Sequence, residues 1–423
     1  MEITVVGGGY VGLVTSACFA DLGHTVRIIE IDPRKVEQIN KGIPPIFEEG
    51  LEEILTKTIG KNLIAQADYQ GIENSDIFFI CVGTPPQEDG SANLSYLSQA
   101  AESIGTGIKG SGKFQVITVK STVPPGTTES VVLPAVLKAS ARTKDSIGFC
   151  MNPEFLREGR AIEDFQNPDR IVIGGDSDEA ISIVKQVYEK VSAPMIMTSL
   201  QAAEMIKYAS NAFLAMKISF SNEIGNLCKK LGINVYEVMN GVGYDQRINP
   251  HFLNAGLGFG GSCFPKDVMA LIRLSERNDE DPILLQSVIS VNEQQPDRIV
   301  SLLKERIGSL SHRRIALLGL AFKDNTDDVR DSRAIPVIKS LLIEGAEIVA
   351  FDPMAIDSMK KYYPDLQYTK TAGDALEGAD ACLILTEWPE FKELNAEFDR
   401  MKTRVIIEGR RILSIEGVEG VCW

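Results

Sequence analysis

Histidine is scarce in this 423-residue chain: His24, His251 and His312 are the only three, and they lie far apart. That argues against a histidine-based metal site and against a Ser-His-Asp triad, so nucleophilic chemistry has to rest on cysteine, lysine or carboxylates. A positive excess is also lacking. The formal net charge is −15, which disfavours nucleic acid and anionic membrane as partners, because both need a basic footprint. A polyanionic ligand must then be met by locally placed Lys, Arg and backbone N–H groups. No uncharged apolar run reaches the ~18 residues of a membrane span. A strand-like run at residues 3–6 starts almost at Met1 and leaves no room for a signal or transit peptide, so the expected compartment is the cytoplasm. The seven cysteines (Cys18, Cys81, Cys150, Cys228, Cys263, Cys382 and Cys422) are odd in number and lack metal-like spacing, which favours reduced thiols.

What is present is an alternation of apolar strand-like runs with helical patterns. Residues 3–6, 25–30, 77–82, 116–120, 147–150 and 171–173 read as strands, and such alternation implies a parallel sheet covered by helices. The last third repeats the theme: 314–319 echoes the first strand and its turn, 347–353 echoes 26–33, and 379–386 echoes 75–84. The expected fold class is α/β, with two doubly wound, Rossmann-like domains, at 1–198 and 306–423. Between them, 199–305 carries a long helix and a small helical domain. From Leu200 to Leu231 there is no Pro and one Gly, with apolar residues at helical spacing. This segment is expected to span on the order of 45 Å and to offer a homodimer face.

Three segments carry chemistry. After the first strand, GGGYVG at 7–12 satisfies GxGxxG: Gly7 permits the tight turn, Gly9 lets backbone approach a pyrophosphate, and Gly12 allows close helix packing. A merely structural glycine turn is the alternative, but the strand–turn–helix context and an acid about twenty residues on favour a dinucleotide. That acid, Glu30, suits ribose hydroxyls and points to NAD over NADP. Asp32 is a neighbouring candidate with a surface-turn role as its alternative, and Lys35 is either a cofactor contact or a solvated charge. The second segment, GLGFGGSCFPKD at 256–267, has four glycines in six positions, with Pro265 read as the first residue of a helix running to about Arg277. Cys263 then stands just ahead of a helix N-terminus beside Lys266 and Asp267, where a thiolate is favoured. The other six cysteines read as inert buried residues. The third is NPEFLREG at 152–159, at a strand end, where two carboxylates either include a general base or frame a solvated turn. Thr122 lies at another such strand end. Lys207 and Asn211 share one face of the long helix. Lys207 is either a surface charge paired with Glu204 or, with Asn211, a donor aimed at a developing oxyanion.

Together these segments resemble the UDP-glucose/GDP-mannose dehydrogenase family over essentially the whole chain. The matching motifs, in order, are GGGYVG, CVGTP at 81–85, KSTVPPGTT at 120–128, NPEFLREG, the helix with Lys207 and Asn211, GFGGSCFPKD and GLAFKDNTDDVRDS at 319–332. The run 152–174 resembles the branch acting on UDP-glucose more than those acting on mannose or N-acetyl sugars. The resemblance implies NAD-dependent, four-electron oxidation of UDP-glucose to UDP-glucuronate through a thiohemiacetal and a thioester on Cys263. It implies that Lys207, Asn211 and Thr122 stabilise oxyanions or position water, that Asp267 deprotonates or orients, and that Glu154 acts in thioester hydrolysis. NAD would be held by Gly7, Gly9, Tyr10, Val11, Gly12 and Glu30, with Lys35, Thr84, Thr122, Glu158, Lys266 and Arg330. Substrate would be held by Glu154, Phe155, Leu156 and Arg157, by Lys207 and Asn211, by the loop Phe252, Leu253, Asn254, Ala255 and Gly256, and by Gly260 and Lys323. Arg247 would serve the site across a dimer interface.

The sequence departs from the family pattern at Glu30, where Asp is common, and at Arg333, where a small residue or Pro is common, with no role assigned to it. It departs again at 408–410, where Glu-Gly-Arg replaces Asp-Gly-Arg, which leaves the role of Arg410 open. Alternatives are the same chemistry on a UDP-N-acetylhexosamine or GDP-mannose, a single-step hydroxyacid dehydrogenase, and a non-catalytic nucleotide-binding module.

Overall fold

The computed structural model describes residues 1–423. The chain divides into two units, Met1–Ser210 and Asn211–Trp423. The division falls inside the helix Leu200–Leu231, which is 32 residues long and so about 48 Å from end to end.

The first unit is built on eight strands: β1 (Glu2–Val6), β2 (Thr25–Ile29), β3 (Leu63–Gln66), β4 (Ile77–Ile80), β5 (Gln115–Val119), β6 (Ile147–Met151), β7 (Ile171–Gly175) and β8 (Met195–Thr198). Their order is β3-β2-β1-β4-β5-β6-β7-β8. Strands β4, β5 and β6 are buried along their whole length, as both faces of a helix-covered sheet require. Alternate side chains feed two separate cores: Ile3, Val5, Ile28 and Phe79 pack on one face, Val6, Ile29, Phe78 and Ile80 on the other. The sheet is not wholly parallel as expected, because β7 runs antiparallel to β6, pairing Cys150 with Gly175 and Met151 with Gly174. The two edge strands, β3 and β8, are half exposed. Each carries only a short apolar run, Leu63–Ala65 and Met195–Met197, which periodicity alone does not distinguish from a helix segment.

The second unit carries a six-stranded, wholly parallel sheet of β9 (Arg314–Leu318), β10 (Glu347–Phe351), β11 (Gln367–Tyr368), β12 (Ala381–Ile384), β13 (Ile406–Glu408) and β14 (Val418–Gly420). Its order is β11-β10-β9-β12-β13-β14. The internal echo is therefore structural: in each sheet the strand order reverses beside the first strand, opening a crevice at the carboxyl ends of β1 and β4, and of β9 and β12. Helices Val235–Gly243, Phe264–Glu276 and Ile283–Ile307 precede this sheet. Ile299, Val300, Leu302 and Leu303 of the last one join the same core as β9, β10 and β12.

Candidate active site

The turn after β1 has the geometry of a dinucleotide cradle. Gly7 has φ +105, and a Cβ there would lie 2.7 Å from the Cys81 carbonyl; one on Gly12 would overlap the Gly7 carbonyl. Gly9 caps the helix Tyr10–Asp21 with no side-chain hydrogen bond and no acid in the first turn, and the space where its Cβ would point is open. The amides of this helix start thus face a gap that an anion fits. Glu30 is buried, stands against Gly8 and accepts the Asp32 amide at 2.9 Å. Asp32 takes the turn role: it caps the helix Pro33–Asn40 through the Arg34 amide and pairs with the Arg34 side chain in solvent. Lys35 is half-buried in that helix's first turn. At the ends of β4 and β5 the Thr84 hydroxyl donates to the Thr122 carbonyl at 2.8 Å, joining two candidate residues.

The acid at the matching position of the second sheet is taken up by its own neighbours. Asp352, directly after β10, accepts the amides of Leu320, Ala321, Met354 and Ala355 and the indole N–H of Trp388. The acid that stays turned towards a glycine turn is Glu30, so NAD fits the first unit.

In the first unit the loop after β6 is pinned at several points. The Asn152 amide donates to the Val119 carbonyl at 2.8 Å. Arg157 forms a bidentate pair with Asp164. Tyr10 hydrogen-bonds Glu48, whose carboxylate also accepts the amides of Gly159 and Ala161. Glu158 is half-buried between these anchors. Phe155 lies between Arg170, 4.0 Å from its ring centre, and Lys207, at 5.3 Å. Glu154 is 8% exposed and Lys207 4%, and they form an ion pair at 3.0 Å. The surface pairing of Lys207 with Glu204 does not occur. Glu204 is buried and accepts the amides of Gly126 and Thr128 and the Thr128 hydroxyl. Burial pushes the Glu154 carboxyl up, but the Lys207 charge and hydrogen bond, the Leu156 amide and the Lys120 charge outweigh it and hold the carboxyl below its ordinary range.

In the second unit Cys263 is the only exposed thiol of the seven. It is the N-cap of Phe264–Glu276, so Pro265 is the second helical residue and not the first. Burial pushes the Cys18 and Cys81 thiols up to about 12 and Cys422 to about 11, and drives Cys150 and Cys382 upward as well. One turn along the helix, Asp267 is 1% exposed. Its two oxygens take Lys266 Nζ and Asn211 Nδ2, each at 2.6 Å, and its amide donates to the Cys263 carbonyl at 2.8 Å.

The glycine loop ahead of Cys263 is clamped from both sides. Asn292 accepts the Phe259 amide and donates to its carbonyl. On the other side, a Cβ on Gly260 would overlap the Asp331 carbonyl, and the Gly261 amide donates to the Arg330 carbonyl at 3.0 Å. This assigns a structural task to Arg333. It is buried, donates twice to the Asp331 carbonyl and pairs with Glu293 at 2.9 Å, bracing a residue held at φ +50. Arg410 likewise donates to the Gly258 carbonyl and pairs with Glu387, while Glu408 caps the turn ahead through the Ile412 and Leu413 amides.

The remaining candidates are placed less closely. The Arg330 side chain pairs with Asp328, and Lys323 lies 5.8 Å from the Phe322 ring centre. Phe252 has φ +65, Leu253 and Ala255 are buried, and Asn254 is exposed. The Gly256 amide donates to Asn222 at 2.7 Å. Arg247 stands in solvent beside Asp245. Lys120, with its partners Asn152 and Tyr188, was not singled out from the sequence. The signal was a lysine continuing a strand that is apolar on both faces.

Three family models match in chain order: the NAD binding domain of the UDP-glucose/GDP-mannose dehydrogenase family over 1–192, its central domain over 201–294 and its UDP binding domain over 316–415. The chain is 44% identical over 420 residues to the UDP-glucose 6-dehydrogenase AglM of Haloferax volcanii, covering 98% of this chain and 97% of the relative. It is 43% identical to a UDP-glucose 6-dehydrogenase of Bacillus subtilis, YwqF, over 98% and 94% of the two chains. Among solved structures, a UDP-glucose dehydrogenase from Pyrobaculum islandicum superposes with a TM-score of 0.94 at 43% identity, covering 100% and 98% of the two chains. A UDP-D-ManNAc dehydrogenase from Pyrococcus horikoshii gives 0.88 at 28%, covering 100% and 99%. With an open glycine cradle, an exposed helix-capping thiol and matches across all three domains, the chain belongs to the UDP-glucose/GDP-mannose dehydrogenase family.

Proposed function

We propose that this protein oxidises the C6 alcohol of UDP-glucose to the carboxylate of UDP-glucuronate, a sugar donor for polysaccharide synthesis, by way of a thioester on Cys263. The observation that carries the reading is the isolation of Cys263: one exposed thiol among seven, at a helix N-cap, with a buried carboxylate one turn away. Amide dipoles at a helix start favour the thiolate, the reactive form. NAD supplies the hydride acceptor, one molecule for each of the two oxidations, held by the turn at residues 7–12 and by Glu30.

Asp267, fixed by Lys266 and Asn211, orients the reacting groups and takes up the alcohol proton. The Cys263 thiolate adds to C6 of the resulting aldehyde, forming a C–S bond and a thiohemiacetal oxygen that Lys207, Asn211 and Thr122 serve as donors. Loss of the second hydride leaves the thioester. Water then adds to its carbonyl, its proton going to Glu154, and the C–S bond breaks to return the thiolate. Across the cycle one alcohol and one water give one carboxylate, two hydrides and three protons.

We assign cofactor binding to 1–198, the nucleophile and dimer contacts to 199–305, and UDP recognition to 306–423. The relatives that act on UDP-glucose by name support that sugar over its N-acetyl counterparts. We further infer a cytoplasmic homodimer. Phe213, Phe220 and Leu227 are exposed at seven-residue intervals on the long helix, the seam of a helix pair, and a second copy would bring Arg247 to the site. Initial rates on UDP-glucose, UDP-N-acetylglucosamine, UDP-galactose and GDP-mannose test the substrate. Two NADH per UDP-glucose are expected; a ratio of one sinks the thioester route in favour of a single-step dehydrogenase.

A further inference from the structure

We propose that Glu48 is a positioning residue for NAD: its carboxylate ties Tyr10, the first residue of the dinucleotide helix, to the loop after β6, and so fixes the helix start that receives the pyrophosphate. The inference rests on the reading of residues 7–12 as the cofactor cradle.

Glu48 lies in the connection between the helices Pro33–Asn40 and Leu51–Thr58, 38 positions from Tyr10 and 111 from Gly159. It is 6% exposed. Its Oε2 accepts the Tyr10 hydroxyl and, at 2.9 Å, the Gly159 amide. Its Oε1 accepts the Ala161 amide at 2.7 Å. The Gly159 amide is shared with the Tyr10 oxygen at 2.8 Å, so phenol, carboxylate and amide close a junction of three groups. Donors stand at both carboxylate oxygens. A glutamine carries N–H groups on one side, and in either orientation its NH2 would face a buried backbone N–H, leaving that donor unpaired at a cost. The junction is built for a carboxylate.

Both ends of this tether matter. Tyr10 opens the helix Tyr10–Asp21, which Gly9 caps without a side-chain hydrogen bond. The first amides of a helix have no partner within it and are the groups that meet a pyrophosphate. A charge-assisted hydrogen bond on the Tyr10 side chain holds that turn in one orientation. The other end is itself anchored. Gly159 takes φ +81, a left-handed turn that favours glycine, and Arg157 just before it forms a bidentate pair with Asp164. Glu48 therefore ties the helix start to a loop that is already held, and Glu158 lies between the two anchors. An apolar side chain would fill the volume at less desolvation cost; what the carboxylate adds is direction.

The test is NADH binding to the full chain by fluorescence titration, a readout that needs no turnover. In Glu48→Gln the dissociation constant is expected to rise on the order of tenfold, and in Tyr10→Phe comparably. The double variant is expected to bind no more weakly than the weaker single, because either change opens the same junction. Melting temperatures are read beside each titration, since a role in folding alone lowers the melting temperature and leaves the affinity of the folded protein where it was. A folded Glu48→Gln with wild-type NADH affinity overturns the proposal, and so do losses that multiply in the double variant. Should Glu48→Gln not fold, wild-type affinity in Tyr10→Phe overturns it. Gly9→Val checks the cradle itself: with φ −73 the backbone accepts a side chain, and the Cβ points into open space, so the protein is expected to fold with the gap filled. Undiminished NADH binding in Gly9→Val overturns the reading of the cradle, and this inference with it.

Discussion

At the scale of single residues, burial separates groups of the same chemical type. Six thiols are buried, and where burial raises them they stay protonated, whereas Cys263 is exposed at a helix start. Cys263→Ser is therefore expected to give no UDP-glucuronate, with turnover down at least ~10³-fold, while fluorescence titration finds NAD binding unchanged. Full four-electron turnover in that variant would end the thioester proposal. Lys120 makes the opposite point, a charge kept where it costs stability. Its ammonium is lowered from 10.5 to about 8, so the unfolded chain binds more protons between those values and stability rises with pH across that window. Lys120→Met is expected to be up to about 3 kcal/mol more stable than wild type at pH 7 by denaturant melts, less whatever Asn152 and Tyr188 lose, with the gain gone above about pH 10.5. Glu154 has the reverse sign: its carboxyl is depressed, so its stabilisation is present above the unfolded value and lost as pH falls through the folded one.

At the scale of elements, loops are held by residues distant in sequence. The segment ahead of Cys263 depends on Asn292 and on the Asp331 carbonyl, and Arg333 fixes that carbonyl. Gly260→Ala would push a methyl into it. We expect a loss of roughly 1–3 kcal/mol together with slower alkylation of Cys263 by iodoacetamide; a variant with wild-type alkylation and turnover would show that the loop tolerates the shift. The long helix was readable from its lack of Pro and its apolar spacing, and its ends coincide with Leu200–Leu231. The short edge strands β3 and β8 were not, because a run of three apolar residues in each reads equally as part of a helix. Nor was the reversal of β7 against β6, since a strand's direction leaves no mark on its own side-chain pattern.

At the scale of the whole molecule, the two sheets repeat one design with different outcomes. Both place an acid after the second strand, yet Asp352 is saturated by four amides and an indole while Glu30 faces an open glycine turn. The apolar seam of Phe213, Phe220 and Leu227 belongs to this scale too. Phe220→Glu is expected to halve the particle mass in light scattering and to cut turnover by ~10-fold or more if Arg247 of a second copy completes the site. An unchanged mass would show that the seam is not the interface.

Composition, periodicity and motif order alone determined the α/β class, the dinucleotide turn, the long helix and the singular cysteine, because each is written in residues near one another along the chain. Tertiary structure decided which charges meet. Lys207 faces Glu154 and not Glu204, Asn211 holds Asp267, and Lys120 lies buried against Asn152 and Tyr188. Those pairings join residues 32 to 68 positions apart, and an ion pair is set by distance and burial in space, which spacing along the chain does not encode.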